Sequence, residues 1–517
     1  MAKTSLINWI KNHKLEFIIL FLILAVASFL RLYKISGYMT FLGDEGRDAI
    51  IVRRLLVEHH PPLIGPGTSI GNMYLGPLYY YMMAPALLLA NFNPVGPAIQ
   101  IAVLGVITVY FIYYVARKWF GPRGALVASF LYAISPVIII YSKSSWNPNI
   151  MPFFSLLCIY SIWQIWQNHK FKWLIILGIS FASVLQSHYL GLLLVPTLLI
   201  FWFLTFLKVR LTKTETKPFI VYSLISLFLF LALMSPLVIF DSRHGWRNFE
   251  ALKQFFTNRQ ATVSVKPWSN IPKIFPQFEK IITRLVSATD SKVGQWASLI
   301  LLMSVVWVAA RLRNNLEKKE KLAYILLISW IGFGLIGLSL YKQEIYDHYY
   351  GFLFSAPFLL LAGICEHVIR KHKIRGTWIC LTGVSILAIF NFNASPLKYP
   401  PNYQLDRSIK VAKIILDEAK GQPLNFAVIA ERNYEGAYRY FLDVRGGKVV
   451  DIDPQNPKGS ITELLFVVCE KEEKKCDPTH GLKPEVANFG WTKIDKEWHD
   501  YGVIIYKLVH SLPPQKK

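Results

Sequence analysis

The chain has 517 residues, of which 53% are hydrophobic and 17% charged, whereas soluble domains carry about a quarter charged residues. The charges form short runs between long apolar stretches, which excludes a soluble globular protein and predicts repeated membrane crossings. The net charge of +24 comes largely from cations that flank the apolar segments. Because no nucleic-acid-binding motif accompanies them, we assign this excess to membrane loops and predict no nucleic-acid partner.

The first apolar stretch covers residues 15–33 and follows Lys11 and Lys14. A signal peptide would end in a small-residue cleavage site, but this stretch runs directly into Arg31 and Lys34. We therefore predict an uncleaved first membrane span with a cytoplasmic N-terminus.

The segment after this span, residues 41–67, carries the strongest chemical signal in the sequence. Asp44 and Glu45 lie just beyond the end of the span, and the apolar spacing from Glu45 to Val57 predicts a helix. Asp44 could cap this helix or pair with Arg47, which are common structural roles. It could also act as a general base, because a carboxylate at a helix N-terminus is held ionised and oriented. The spacing alone leaves both roles open.

A short apolar segment at 77–92 is an ambiguous span, because it contains Pro77 and Pro85. If it crossed the membrane, the basic loop 117–123 would lie outside. Leaving it out places the short basic loops on one side, which is the cytoplasmic side by the positive-inside rule. We therefore predict an interfacial helix with three tyrosines in the headgroup region, within an extracytoplasmic loop 34–97.

The remaining apolar stretches have the hydropathy of membrane-spanning helices, although several are short. With the first span they predict eleven crossings, which place the C-terminus on the extracytoplasmic side. The predicted fold class is an α-helical polytopic protein of the cell membrane, with a transmembrane domain at 1–392. The further spans are 98–116, 124–141, 150–167, 173–187, 190–207, 218–240, 297–310, 323–341, 351–369 and 376–392.

The tail at 393–517 is a different kind of sequence, because it is charged and contains both helix and strand patterns. We predict a small extracytoplasmic α/β domain. Cys469 and Cys476 in this tail could form a disulfide or remain free thiols, and we favour the disulfide if the compartment is oxidising. The predicted strands are 424–430, 463–469 and 502–508, and the predicted helices are 405–419 and 434–442.

Three motifs accompany the acidic pair of the first loop: GPLYYYMMAP at 76–85, ISPVIIIYSKSSWNPN at 134–149 and HYYGFLFSAP at 348–357. Their order and position resemble the GT-C glycosyltransferases of the family 39 type. That type includes protein O-mannosyltransferases and is close to the aminoarabinose transferases of lipid A. The resemblance covers roughly residues 15–390. It implies transfer of a sugar from a polyprenyl phosphate to an acceptor hydroxyl, with inversion, on the side away from the cytoplasm.

The same resemblance implies that Asp44 is the general base and that Glu45 positions the acceptor or the base. The leaving phosphate needs cationic stabilisation, as any developing anion does. Each cation on the predicted outer face could instead be an ordinary interfacial anchor. Our candidates for the phosphate are Lys143, Arg243, His244 and His348, with Lys143 and Arg243 preferred, and further site candidates are Arg47, Arg53, Arg54, Tyr79, Asn147 and Lys342.

The chain departs from the family pattern at two places. Aminoarabinose transferases carry a lysine before the Pro-Pro-Leu of the interfacial helix, but this sequence reads YLGPL at 74–78. Relatives often carry an aspartate after the third span, where this chain has Asn147 and Asn149. We predict no cofactor and leave a divalent metal open, since no spacing here predicts converging ligands.

Two other functions fit a membrane protein of this kind. A transporter or flippase for a lipid-linked sugar would be expected to show internal repeats and charges near mid-membrane, and neither is evident. A non-catalytic scaffold that displays the tail would not require Asp44. The expected partners of a transferase are a polyprenyl-phosphate sugar donor, membrane lipid, and an acceptor protein, lipid or glycan.

Overall fold

The structure is a computed structural model that describes residues 8–68, 73–213, 215–257, 270–311 and 317–512. Parts of the predicted segments 34–97 and 241–296 therefore lie outside the described residues. Within the described residues, seven helices are long and apolar enough to span a bilayer. They are Lys14–Leu32, Val95–Trp119, Asn147–Asn168, Tyr189–Thr212, Thr216–Arg243, Lys318–Leu340 and Ala356–Asn393.

The other predicted spans are helical too, and the predicted polytopic α-helical fold class is confirmed. The helix Ala356–Asn393 breaks at Lys373, where φ is 47° and ψ is −119°. Its two halves therefore correspond to the predicted spans 351–369 and 376–392. The remaining predicted spans coincide with Pro122–Ile134, which Pro136–Tyr141 continues, with Trp173–Ser187 and with Ser291–Arg311.

Short helices fill the connections at the end of the bundle where the first span finishes. The helix Gly43–Val57, here called the loop helix, lies in the connection after that span. The others lie in the same connection or between later spans, and two of the 3-10 helices open the spans Asn147–Asn168 and Tyr189–Thr212. They are the α-helices Ile35–Tyr38, Leu78–Leu89, Arg247–Thr257 and Ile271–Leu285, and the 3-10 helices Asn147–Ile150, Tyr189–Leu194 and Asp347–Leu353.

The helix Leu78–Leu89 has 12 residues. At the rise of an α-helix it is about 18 Å long, well short of the roughly 30 Å hydrocarbon core, so it does not cross. The prediction that its tyrosines lie in the headgroup region is wrong for two of them. Tyr79 and Tyr80 are buried, and their hydroxyls lie against Ser145 and Asp48. The hydroxyls of Tyr79 and Tyr80 therefore contact polar side chains of the protein and not lipid headgroups.

After Asn393 the chain forms an α/β unit with a four-stranded sheet in the order β1-β2-β4-β3. The three predicted strands are confirmed as β1, β2 and β4, and both predicted helices are present. The pattern search missed β3, because its residues TKIDKEWHD are mostly charged and exposed. The elements are β1 Asn425–Ile429, β2 Leu464–Cys469, β3 Thr492–Asp500 and β4 Val503–His510, with helices Pro396–Lys398 (3-10), Gln404–Ala419, Gly436–Val444, Pro457–Ser460, Glu473–Lys475 (3-10) and Pro484–Phe489.

Strands β1 and β2 are parallel, and the other two pairs are antiparallel. A disulfide joins Cys469, the last residue of β2, to Cys476, with the two Cα atoms 6.1 Å apart. One face of the sheet shares a hydrophobic core with the loop helix, in which Ala49 and Val52 pack with Val411 and Tyr438. The α/β unit is therefore packed onto the membrane-spanning part and is not held by a tether alone.

Candidate active site

In the first turn of the loop helix, one acidic side chain caps the helix and the other does not. Leu42, in an extended conformation, precedes the helix, and its N–H donates to Glu45 Oε2 at 3.0 Å. Glu45 is buried, and burial raises its pKa to about 7. The capping role that we considered for Asp44 therefore belongs to Glu45, which lies away from solvent. The Asp44 side chain is 40% exposed and takes no part in the cap.

Asp44 is held through one of its two carboxylate oxygens. Arg47 Nη1 donates to Asp44 Oδ1 at 2.8 Å, and the Tyr434 hydroxyl donates to the same oxygen. The guanidinium of Arg47 also binds Asp48 Oδ1 through Nε at 3.0 Å and Nη2 at 2.7 Å. Burial raises the pKa of Asp48 to about 6, although Arg47 opposes this shift. These residues, Asp44, Arg47, Asp48 and Tyr434, are here called the carboxylate cluster.

A cavity of about 120 Å³ opens beside this cluster. His348 lies with its ring centre 4.6 Å from that of Trp146 and 5.7 Å from that of His188. Burial lowers the pKa of His188 to about 3 and that of His348 to about 4, so both imidazoles are neutral near pH 7. One wall of the cavity is therefore charged and the other is aromatic and neutral. The lining residues are Asp44, Arg47, Pro66, Gly67, Thr68, Leu75, Trp146, Asn147, Pro148, His188, Tyr189, His348 and Tyr349.

Two buried cations, Arg31 and Lys143, lie next to each other outside the cavity lining, and Lys143 belongs to the loop that carries the lining residues Trp146 and Asn147. Lys143 is 2% exposed, and its Nζ has no hydrogen-bond partner among the described residues, although it lies 4.5 Å from the centre of the Tyr38 ring. Arg31 is fully buried, and its Nε and Nη2 also lack hydrogen-bond partners there. A Cβ placed on Gly105 would lie 2.8 Å from Ser142 Cβ and 3.0 Å from Arg31 Nε. Arg31 and Lys143 are here called the cation pair.

The electrostatic state of the cation pair follows from its burial. Burial and, to a smaller extent, the charge of Arg31 together lower the pKa of Lys143 to about 8. Arg31 Nη1 donates only to carbonyl oxygens, those of Ala27 at 3.3 Å and Ala133 at 3.0 Å. No carboxylate of the described chain forms a salt bridge with either residue. Buried charges are normally paired, so this arrangement favours an anionic ligand.

Several sequence candidates are not brought to the cavity. Arg243 lies at the exposed end of its helix, and His244 stacks on Phe240 with ring centres 4.0 Å apart. The cation that acts on Lys143 is Arg31, whereas Arg243 lies outside the cavity lining, and the pairing of Lys143 with Arg243 at a phosphate stays a prediction. Three other candidates also lie outside the cavity lining: Arg53 and Arg54 face Arg439 and Asp443 across a separate polar cavity, and Lys342 is exposed in the loop before Asp347–Leu353.

Two neutral candidates hold the polypeptide around the site. Asn147 lines the cavity and donates from Nδ2 to the Ser187 carbonyl oxygen at 2.8 Å. Tyr79 lies 2.6 Å, oxygen to oxygen, from Ser145 of the loop that also carries Lys143. The loop 142–149 therefore connects the cation pair to the cavity wall. Within the described ranges, no group of three or more His, Cys, Asp or Glu side chains could hold a metal ion.

The sequence reasoning missed two residues that the fold supplies to the site. Tyr434 is 390 residues from Asp44 along the chain, and no local pattern links them. Arg31 was interpreted only as a flank of the first span. Its position at the C-terminal end of an apolar helix, with no acidic residue between it and Asp44, was the available signal.

The fold defines the class of the chain. It superposes on the crystal structure of ArnT from Cupriavidus metallidurans bound to undecaprenyl phosphate with a TM-score of 0.58, over 94% of this chain and 97% of that one, at 11% identity. It also superposes on the archaeal oligosaccharyltransferase AglB from Archaeoglobus fulgidus, in complex with an inhibitory peptide and a dolichol-phosphate. The TM-score is 0.53, over 89% of this chain and 70% of that one, at 13% identity. The chain therefore has the GT-C fold, and the resemblance predicted from the sequence is confirmed at the level of the fold.

A family model adds a more specific likeness. The model described as dolichyl-phosphate-mannose-protein mannosyltransferase matches residues 75–240, which is less than half of the chain. The matched part contains the Leu78–Leu89 helix and the loop 142–149. No curated protein sequence matches the chain.

Proposed function

We propose that this chain is a membrane glycosyltransferase that moves a sugar from a polyprenyl-phosphate donor to an acceptor hydroxyl. The observation that carries the proposal is Asp44, a carboxylate on the wall of a cavity in a GT-C fold, free of any capping role. Two donors bind Oδ1 of Asp44, so Oδ2 is the oxygen that would meet the acceptor. Undecaprenyl phosphate and dolichol-phosphate are bound in the ArnT and AglB structures, which supports a lipid-phosphate donor here.

The reaction that fits this geometry is a single displacement with inversion. The acceptor oxygen attacks the anomeric carbon, and Asp44 takes the hydroxyl proton as the new C–O bond forms. The bond between the anomeric carbon and the phosphate oxygen breaks, and its electron pair leaves with the polyprenyl phosphate. The base and the leaving group must lie on opposite sides of the sugar, which requires two separate polar sites.

The cation pair would hold the phosphate. Arg31 and Lys143 together leave several N–H donors unused, and a developing phosphate charge would be stabilised by them in a site shielded from water. The loop 142–149 runs from Lys143 to Trp146 and Asn147 on the cavity wall. A sugar carried on the phosphate would therefore extend from the cation pair toward Asp44.

The aromatic wall would contact the sugar itself. Trp146, His348 and Tyr349 line the cavity, and aromatic rings suit the C–H face of a sugar ring. The neutral imidazoles of His188 and His348 can donate or accept a hydrogen bond without adding charge. His348 would therefore serve as a neutral contact and not as a cation for the phosphate.

The proposal includes a membrane placement. The basic loops would face the cytoplasm, with the N-terminus, and the site and the domain 393–517 would face the other side of the cell membrane. The membrane domain 1–392 would meet the lipid-borne donor in the bilayer. The acceptor would be a hydroxyl of a protein, lipid or glycan that approaches from the extracytoplasmic side.

The decisive test is Asp44→Asn in the purified full chain, assayed for sugar transfer from polyprenyl-phosphate sugars. We expect kcat to fall by about 10²–10⁴, the usual contribution of a general base. Glu58→Gln, at the other end of the same helix, is the matched control and should retain transfer. Unchanged transfer in Asp44→Asn would remove Asp44 from the mechanism. Transport of a lipid-linked sugar without any transfer product would support the flippase alternative.

A further inference from the structure

The α/β unit reaches the loop helix through glycine contacts. The helix Gly436–Val444, here called the tail helix, crosses the loop helix so closely that side chains are excluded. A Cβ on Gly46 would lie 2.2 Å from the carbonyl carbon of Gly436, and a Cβ on Gly436 would lie 2.2 Å from the carbonyl oxygen of Gly43. Both distances are far inside van der Waals contact. The glycines therefore fix where the tail helix lies relative to the first turn of the loop helix.

The residues that precede the tail helix bind that first turn. Gly43 N–H, one of the backbone donors that an α-helix leaves unsatisfied at its start, donates to Asn433 Oδ1 at 2.8 Å. Asn433 Nδ2 in turn donates to Glu470 Oε1 at 2.7 Å, next to the disulfide. A residue of the α/β unit therefore caps the helix that carries Asp44.

Tyr434 extends the same contact to the carboxylate itself. Its hydroxyl donates to Asp44 Oδ1, and Arg47 Nη1 lies 3.2 Å from the same hydroxyl. Its ring covers Gly43, where a Cβ would lie 2.4 Å from Tyr434 Cδ1. Burial raises the pKa of Tyr434, so the phenol stays protonated and remains a donor.

We propose that Tyr434 is a positioning residue for Asp44, and that the α/β unit thereby completes the catalytic site. This inference rests on the proposed function, because it assigns Tyr434 a role only through the base. With Oδ1 held by Tyr434 and Arg47, the carboxylate presents Oδ2 to the acceptor in one orientation. A base that must rotate into place would be less effective, because the reacting groups would spend less time aligned.

The test is Tyr434→Phe, which removes the hydroxyl and keeps the ring on Gly43. We expect kcat to fall by about 10- to 100-fold, with the KM for the lipid-linked donor changed less than twofold, because the proposed phosphate site lies elsewhere. Tyr440→Phe is the matched control. Its hydroxyl also ties the tail helix to the membrane-spanning part, at 2.6 Å from the Phe92 carbonyl oxygen, without touching Asp44. It should retain kcat.

Two further variants separate positioning from anchoring. In an Asp44→Asn background, Tyr434→Phe should cause little additional loss, since residues that act through one group are not additive. Gly436→Ala, which must displace the tail helix from Gly43, should lower kcat at least as much as Tyr434→Phe.

Two outcomes would overturn the inference. Full kcat in Tyr434→Phe while Asp44→Asn is inactive would leave Asp44 as base without help from the α/β unit. Equal losses of kcat and of melting temperature in Tyr434→Phe and Tyr440→Phe would make Tyr434 a structural anchor only. If Asp44→Asn itself transfers sugar normally, the proposed function fails before this inference is reached.

Discussion

The carboxylate cluster contributes Asp44 and Arg47 to the cavity lining, whereas the cation pair lies outside that lining, and the two groups differ in how their charges are paired. In the cluster, Arg47 binds Asp44 and Asp48, and Tyr434 adds a further donor to Asp44. In the pair, Arg31 and Lys143 are more deeply buried than Asp44 and have no carboxylate partner among the described residues. Under the proposed function, the base must keep one orientation without its substrate, whereas the phosphate site must remain open for an anion. Paired charge would then mark the preformed part of the site, and unpaired charge the part that a ligand completes.

Among the variants that test this comparison, those that replace the cation pair should have the largest effect. Arg31→Met and Lys143→Met should each lower kcat/KM for the donor by about 10²–10³, since each removes a donor to the leaving phosphate. Both variants should also raise the melting temperature of the ligand-free protein, because an unpaired charge no longer has to be buried. Transfer assays and thermal unfolding in the same detergent measure the two effects.

Arg117→Met is the control for this prediction. Arg117 Nε donates to Glu16 Oε1 at 2.6 Å, so its charge is paired, far from the cavity lining. Its loss should lower stability and leave transfer intact. If Arg31→Met and Lys143→Met behaved like Arg117→Met, the cation pair would be structural and the comparison would fail.

The contrast between these regions also separates what the sequence could predict from what it could not. The membrane-spanning helices were found because each needs a long apolar stretch, which is a local property of the chain. The position of Asp44 near a helix start was also local. The residue that holds Asp44 could not be predicted from a local pattern, because Tyr434 reaches it where two helices that are distant in sequence cross. Strand β3 was missed for a related reason, since a charged edge strand lacks the apolar alternation that identified β4.

The next largest effect should be a pH dependence of kcat/KM for the donor. The pKa of Lys143 lies near 8, so its charge is present below that pH and is lost as the pH rises through it. We expect kcat/KM for the donor to fall by up to about tenfold per pH unit above pH 8. The Lys143→Arg variant should keep its kcat/KM for the donor to higher pH, because a guanidinium stays protonated. An identical fall in wild type and Lys143→Arg would assign the titration to another group.

The smallest effect concerns Glu45, the buried carboxyl that caps the loop helix. Its folded-state pKa of about 7 lies above the usual value, so the folded protein holds a proton that the unfolded chain has released. Stability from this group is therefore present at pH 4 and is lost as the pH rises toward and through 7. Asp48, with a pKa of about 6, acts in the same direction.

Glu45→Gln should flatten the dependence of thermal stability on pH between about 4.5 and 7, with a change of the order of 1–3 kcal/mol. Glu58→Gln, an exposed carboxyl at the end of the same helix, should leave the curve unchanged. A wild-type curve that rises over this window would show that Glu45 is ionised in the folded protein.

Under the proposed function, the lack of a counter-charge at Arg31 and Lys143 among the described residues has a practical consequence for handling the protein. Two cations enclosed together repel each other, and any small oxyanion that enters relieves that repulsion. Sulfate or inorganic phosphate in a buffer would then compete with the lipid carrier. Assays in such buffers would understate donor affinity, whereas zwitterionic buffers with chloride would report it more faithfully.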